Sequence, residues 1–91
     1  MNVFAAAVNF DDTIATGINV VSRDTGDMIS INASREVVLA AGAAHTPQIL
    51  QLSGIGPRDL LENFDIDVVV DLPGVGANFQ DHLSISTAWR C

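Results

Sequence analysis

The first third of the chain alternates between apolar and polar positions with the period of two that is typical of β-strands. Three segments rich in Val, Ile, Thr and Phe carry this pattern, at residues 3–10, 13–22 and 27–33. Between the last two, the sequence DTG at 24–26 joins an aspartate to a glycine that can take a positive φ, which favours a tight turn. We therefore predict a small antiparallel meander over residues 1–33.

The alternation stops at residue 37. Residues 37–41 (VVLAA) are all apolar and are followed by Gly42, as is typical of a parallel strand buried on both faces. Residues 65–72 (DIDVVVDL) contain a similar run and predict a further buried strand. These two strands are expected to lie in a central sheet rather than in the meander.

Two short helices are predicted between the buried strands. The first has Thr46 as its N-cap and Pro47 at its first position, ends before Gly54, and turns three residues inward: Ile49, Leu50 and Leu52. The second begins at Pro57, and its apolar stripe consists of Leu60, Leu61 and Phe64. The strand, helix, helix, strand unit thus covers residues 36–72, and a glycine-rich loop follows at 73–82.

Small residues follow the first buried strand. Ala41, Gly42 and Ala43 lie where a nucleotide-binding sheet needs small side chains, because a cofactor approaches the backbone at the carboxyl end of a strand. The same residues would also suit close packing of a helix on a sheet. This short segment does not by itself distinguish the two interpretations.

A longer pattern runs from Gly42 to Gly56: a small pair (GA), two free positions, Thr-Pro, one free position, two aliphatics (IL), two free positions and the block SGIG. It resembles a signature of the glucose-methanol-choline (GMC) flavoprotein oxidoreductases, and every constrained position fits. The resemblance extends through a PGVG turn and the block NFQDH, and covers residues 34–83. Asp65 departs from it, because many relatives carry glycine there and aspartate takes a left-handed turn less readily.

The resemblance implies an α/β fold, namely part of a Rossmann-like FAD-binding domain over residues 1–83. Residues 84–91 would begin the strand that leads into the substrate-binding domain. FAD is the implied cofactor, and the residues implied to approach it are Ala41, Gly42, Ala43 and Asn78. The implied reaction is the oxidation of a small-molecule alcohol at its CH–OH group by hydride transfer to flavin N5.

The family's GxGxxG loop and its catalytic histidine have no counterpart in residues 1–91. The resemblance therefore implies an internal fragment that needs the remainder of a GMC chain to complete its fold, contains no catalytic residue, and is inactive alone. Two alternatives stay open: a truncated module that binds a partner without catalysis, and a relative that uses the fold for a non-redox cyclisation or lyase reaction.

The polar residues that invite a catalytic interpretation lack the necessary partners. His45 and His82 have no accompanying base constellation and no third metal ligand, so we expect each of them to be structural or solvated. We expect the pair Asp81-His82 to be structural. Ser53 lacks the Gly-x-Ser-x-Gly spacing of a nucleophile elbow. We expect its hydroxyl to bond a preceding helical carbonyl and help to end the helix.

Composition narrows the possible partners. The net charge of -7 argues against nucleic acid and anionic membranes, and the single cysteine, Cys91, excludes an intrachain disulfide. Hydrophobic residues make up 48% of only 91 residues, more than a small domain readily buries. We therefore expect part of this surface to pack against further protein. The sequence leaves the cellular location open.

Overall fold

A computed structural model describes residues 2–89 of the chain. Its elements are, in order, β1 (Val3–Asp11), β2 (Ile14–Ser22), β3 (Met28–Asn32), α1 (Gly42–Leu52), β4 (Ile55–Gly56), α2 (Arg58–Asn63) and β5 (Val70–Asp71). The first three strands form one antiparallel sheet, and β4 and β5 form a short parallel pair. The architecture is thus a mixed α/β arrangement, in which α1 packs against β1.

The predicted meander is confirmed. Its strands lie in the order β1-β2-β3, and the register places Val8 opposite Ile18, which in turn lies opposite Ile31. Gly26 closes the hairpin between β2 and β3 with a φ of 78°, the conformation for which a glycine was predicted. The alternating pattern was sufficient here because each strand pairs with its neighbour in sequence across a short turn.

Ser53 links the sheet to the end of α1. The backbone N–H of Val8 donates a hydrogen bond of 2.7 Å to Ser53 Oγ, and this hydroxyl donates in turn to the carbonyl of Ile49. All three residues are buried, and Ser53 is the C-cap of α1. The prediction that Ser53 bonds a helical carbonyl and ends the helix is confirmed. The bond to the edge strand was not foreseen.

The first helix begins a full turn earlier than predicted. It starts at Gly42 rather than Pro47, so that Thr46 and Pro47 lie inside it. Alanines 43 and 44 extend the helix because alanine is the best helix former. The Thr46 hydroxyl still contributes to the helix start, since it accepts a hydrogen bond of 3.0 Å from the Ala41 N–H. The packing of α1 also differs from the prediction that Leu52 faces inward, because Ile49 is buried whereas Leu52 is exposed.

The two predicted buried strands are only partly formed. Residues 36–40 carry no regular secondary structure, and of residues 65–72 only Val70–Asp71 are in a strand. A parallel strand is stabilised by neighbours on both sides and by helices on both faces. Within residues 2–89 no strand lies beside residues 36–40, whereas Val70–Asp71 find a partner in Ile55–Gly56.

The second helix lies where it was predicted, with Pro57 as its N-cap. Leu61 is fully buried, but Leu60 and Phe64 are exposed, which corrects the predicted apolar stripe. Residues 84–89 are irregular, and Arg90 and Cys91 lie outside the described residues. The strand predicted for residues 84–91 therefore stays a prediction. The predicted domain boundaries also stay predictions.

The end of α2 explains the unusual aspartate. The N–H of Ile66 bonds the carbonyl of Leu61 at 3.0 Å, and the N–H of Asp65 bonds that of Glu62 at 3.1 Å. These two bonds define a Schellman motif, whose C′ residue is left-handed and usually glycine. Asp65 occupies this position with a φ of 54°. The turn therefore keeps the Schellman geometry, and the left-handed conformation of Asp65 is sterically strained by its Cβ atom.

Asp65→Gly is expected to raise the free energy of unfolding by about 1 kcal/mol, because glycine takes the left-handed conformation without a Cβ clash. The matched control is Asp67→Gly, at an exposed position nearby without a positive φ, which should lower stability slightly through added chain entropy. Urea unfolding followed by circular dichroism measures both. A loss of stability in Asp65→Gly would contradict this interpretation of the motif.

The described residues leave much apolar surface open. The accessible surface is 7292 Å² for 9.6 kDa, whereas a folded monomer of that mass exposes about 5,100 Å². The radius of gyration is 17.2 Å, against about 12 Å for a compact domain of this length. Large side chains are exposed, including Phe64 and Trp89. No helix in residues 2–89 is long and apolar enough to cross a membrane.

Candidate functional site

The N-terminal end of α1 is open and positively polarised. Its N-cap residue Ala41 makes no side-chain capping bond, and the first turn contains no acidic residue. The first N–H groups of a helix have no intrahelical acceptor, and the helix dipole adds partial positive charge there. Gly42, Ala43 and Ala44 are exposed at this end. The backbone is thus free to bind an anionic group.

Gly42 makes this end easier to approach. Its φ is 84°, and a Cβ built on it would have no neighbouring atom within 4 Å. The space beside its Cα is therefore open, in contrast to Gly54, where a Cβ would contact the Asp67 carbonyl. An incoming group can lie directly against the backbone at Gly42.

A groove of about 220 Å³ lies between α1 and the glycine-rich loop. Two of the predicted cofactor residues, Ala43 and Asn78, line it together although they are far apart in sequence. Asn78 has a φ of 56°, a left-handed conformation that asparagine tolerates better than most residues. The remaining lining residues were not predicted: Pro47, Gly76, Ala77, Phe79 and Gln80.

Ala41 faces a different space. It lines an apolar cavity of about 460 Å³ between the meander and residues 36–41, together with Ile18, Ile31 and Ile49. This cavity suits a packing partner better than a polar ligand. Of the four predicted residues, the structure therefore brings Ala43 and Asn78 into one groove, leaves Gly42 exposed beside it, and places Ala41 at a separate cavity.

The glycine-rich loop is shaped by two consecutive turns. The N–H of Val75 bonds the Leu72 carbonyl at 3.1 Å, and the N–H of Ala77 bonds the Gly74 carbonyl at 3.2 Å. Gly76 takes a φ of 81° at the third position of the second turn, where glycine is favoured. The loop is held on α1 by Gln51, whose Nε2 donates to the Val75 carbonyl at 3.1 Å.

The residues that line the groove can bind a ligand but contain no catalytic group. Its seven lining residues carry no acid, base, cation or nucleophile, and offer backbone groups with the side-chain amides of Asn78 and Gln80. An anion in this groove would therefore be bound by N–H groups, because no cationic side chain lines it. The arrangement can hold and orient a ligand but cannot transfer a proton.

The histidines lie apart from one another. His45 lines a shallow groove between β1 and α1, whereas His82 is exposed in the irregular C-terminal segment. The contact between Asp81 and His82 is local, because the Asp81 carboxylate accepts from the His82 backbone N–H at 2.7 Å. In residues 2–89 no group of three or more His, Cys, Asp or Glu is placed to hold a metal ion.

Comparison with known proteins identifies the family to which this chain belongs. The family model described as GMC oxidoreductase matches residues 2–84, nearly the whole chain. The chain belongs to the GMC oxidoreductase family. The resemblance in the 42–56 signature and the loop beyond it is therefore confirmed, and the mixed α/β meander and helices are those of a GMC FAD-binding domain.

Several GMC relatives match closely. Dehydrogenase xptC of Emericella nidulans is 54% identical over 76 residues, which are 84% of this chain and 12% of that protein. Oxygen-dependent choline dehydrogenase of Serratia proteamaculans is 48% identical over 84 residues, 92% of this chain and 15% of that protein. A solved FAD-dependent oxidoreductase from Chaetomium thermophilum has a TM-score of 0.76 at 42% identity, covering 80% of this chain and 13% of that one.

The chain thus spans 12% to 15% of the length of these relatives. At about 220 Å³ the groove is smaller than the roughly 300–1,000 Å³ of ordinary ligand pockets. Within the described residues the groove is open and does not form an enclosed pocket.

Proposed function

We propose that this chain lines one side of the FAD site in an FAD-dependent GMC oxidoreductase that acts on CH–OH groups of small-molecule donors. The observation that carries the proposal is the groove at the start of α1, where Ala43 and Asn78 lie together. Family membership supports the cofactor. The relative from Serratia proteamaculans is a choline dehydrogenase, which supports a small alcohol as the donor class.

The residues present fit a dinucleotide with a pyrophosphate. FAD carries negative charge, and the start of α1 offers N–H groups that no side chain caps, with no acidic residue in its first turn. Open space at Gly42 lets a ligand reach the backbone, and the small side chain of Ala43 takes up little of the groove. The residues that would hold FAD are Gly42, Ala43 and Asn78. Ala41 lines the separate apolar cavity, and its predicted approach to the cofactor stays a prediction from the sequence.

When bound, FAD supplies the hydride acceptor of the reaction. The part of this chain is to bind and orient the cofactor and to keep water from one side of it. The groove contains no group that takes up the alcohol proton, so a general base would have to come from outside the groove. The chain by itself is expected to bind FAD weakly and to oxidise no alcohol.

Ala43→Glu tests the proposed groove. A carboxylate there would add bulk and like charge against the FAD phosphates, so the FAD affinity of the chain should fall at least about tenfold. The matched control is Ala44→Glu, in the same exposed helix turn but not in the groove lining. Both substitutions place a carboxylate near the positive end of the helix dipole. Any difference in FAD affinity between the two variants therefore reports the position of the carboxylate relative to the groove.

Titration of FAD by flavin fluorescence measures the two variants and the wild type. The proposal predicts weak binding by the wild type, little change in Ala44→Glu and a clear loss in Ala43→Glu. Equal affinities for the two variants would contradict the site. Stoichiometric binding with a Kd below about 1 μM would contradict the claim that the chain supplies only one side of it.

A further inference from the structure

The side chain of Gln51 lies between two glycines. A Cβ on Gly76 would lie 2.7 Å from Gln51 Nε2, and a Cβ on Gly56 would lie 3.0 Å from Gln51 Cγ. Gln51 is half-buried, and its amide donates to the Val75 carbonyl at 3.1 Å. The glycines at these two positions therefore leave room for one glutamine side chain.

Gln51 connects the two walls of the groove. One wall is on α1 and contains Ala43 and Pro47, and the other is the loop segment 76–80. The hydrogen bonds of Val75 and Ala77 are internal to the loop. Among the residues that the structure describes, the bond from Gln51 is the side-chain hydrogen bond that joins this loop to α1.

We propose that Gln51 is a positioning residue that sets the width of the FAD groove by holding the glycine-rich loop on α1. The inference rests on the proposed function of the groove. Gln51 occupies a free position in the 42–56 signature, so the motif gives it no role. Its amide group acts through the loop carbonyl and not through direct contact with the cofactor, because Gln51 does not line the groove.

Two variants separate hydrogen bonding from packing. Gln51→Leu keeps most of the side-chain volume but has no donor, whereas Gln51→Glu keeps the shape and directs a carboxylate oxygen at the Val75 carbonyl. If Gln51 acts as a donor, both variants lower FAD affinity, by about three- to tenfold for Gln51→Leu and at least as much for Gln51→Glu. Packing alone predicts that Gln51→Glu behaves like the wild type.

Gln48→Leu is the matched control, since Gln48 is an exposed glutamine on the same helix that does not line the groove, whereas Gln51 donates the hydrogen bond to the loop. Flavin fluorescence gives the affinities, and amide hydrogen exchange gives the order of the loop without FAD. We expect faster exchange at Ala77 in both Gln51 variants, with Val20 in the meander unchanged. Gln48→Leu should match the wild type in both measurements.

Two results would overturn the inference. Unchanged Ala77 exchange in Gln51→Leu would show that Gln51 does not hold the loop. Wild-type FAD affinity in both Gln51 variants would show that the loop position does not set the groove. A wild-type chain that fails to bind FAD would instead overturn the proposed function, while the exchange of Ala77 would still decide whether Gln51 holds the loop.

Discussion

Gly54→Ala should lower the free energy of unfolding by about 2–5 kcal/mol. Gly54 is buried with a φ of 83°, and a Cβ there would lie 2.8 Å from Val69 Cγ2 and closer still to the Asp67 carbonyl. Left-handed strain contributes about 1–2 kcal/mol and overpacking about 1–3 kcal/mol. The contacted atoms belong largely to backbone that is itself hydrogen-bonded to Gly54, so they cannot move away cheaply.

Gly26→Ala is the matched control for this substitution. Gly26 has a similar φ of 78°, but a Cβ there would meet nothing within 4 Å. Gly26→Ala therefore reports backbone strain alone, about 1–2 kcal/mol. Urea unfolding followed by circular dichroism compares the two variants. Equal losses would show that the region around Gly54 is looser than the structure indicates.

Ser53→Ala should lower stability by about 1–3 kcal/mol, because it leaves the buried Val8 N–H without an acceptor. The cost exceeds that of an ordinary surface hydrogen bond since Ser53 is 8% exposed and its hydroxyl serves both the edge strand and the helix. Amide hydrogen exchange at Val8 is expected to accelerate together with the loss of global stability.

Ser86→Ala is the control for Ser53→Ala, at an exposed position in the irregular C-terminal segment. Surface substitutions of this kind usually change stability by no more than about 0.5 kcal/mol. If Ser53→Ala proved as mild as Ser86→Ala, the sheet and α1 would be held by apolar contact alone.

The meander was predictable because its information is local. Alternation in β2 and β3 and the DTG turn between them are sufficient to specify two antiparallel hairpin partners that lie next to each other in sequence. The hydrogen bond from the Val8 N–H to Ser53 joins residues 45 positions apart, and the hydrogen bond from Gln51 to Val75 joins residues 24 positions apart. No periodicity or motif in the sequence indicates which distant carbonyl or N–H a polar side chain will reach.

The wrong predictions of the start of α1 and of a strand over residues 37–41 have a different physical cause, because they rest on local composition. Thr46-Pro47 has the composition of a helix start, but alanines 43 and 44 continue the helix to Gly42, and the threonine hydroxyl accepts a hydrogen bond from the Ala41 N–H instead of capping the helix. Residues 37–41 have the composition of a buried strand, yet a strand also needs hydrogen-bonding neighbours. Composition describes what a segment prefers, whereas pairing depends on what lies beside it.

The candidate site was predicted in part. Small residues after an apolar run pointed to Ala41, Gly42 and Ala43, and the family resemblance added Asn78. The structure then brings Ala43 and Asn78 together and adds Pro47, Gly76 and Phe79 to the same groove. These additions follow from the packing of the loop on α1, which was not visible in the sequence. That the four predicted residues contact FAD stays a prediction.

The central claim is that the start of α1 and the glycine-rich loop form one side of an FAD site. Amide chemical shifts of the ¹⁵N-labelled chain during titration with FAD test it most directly, because they locate a weakly bound ligand residue by residue. The account predicts shifts concentrated at Gly42, Ala43 and residues 76–79, with the meander unchanged. Shifts confined to the meander, or none at millimolar FAD, would contradict it.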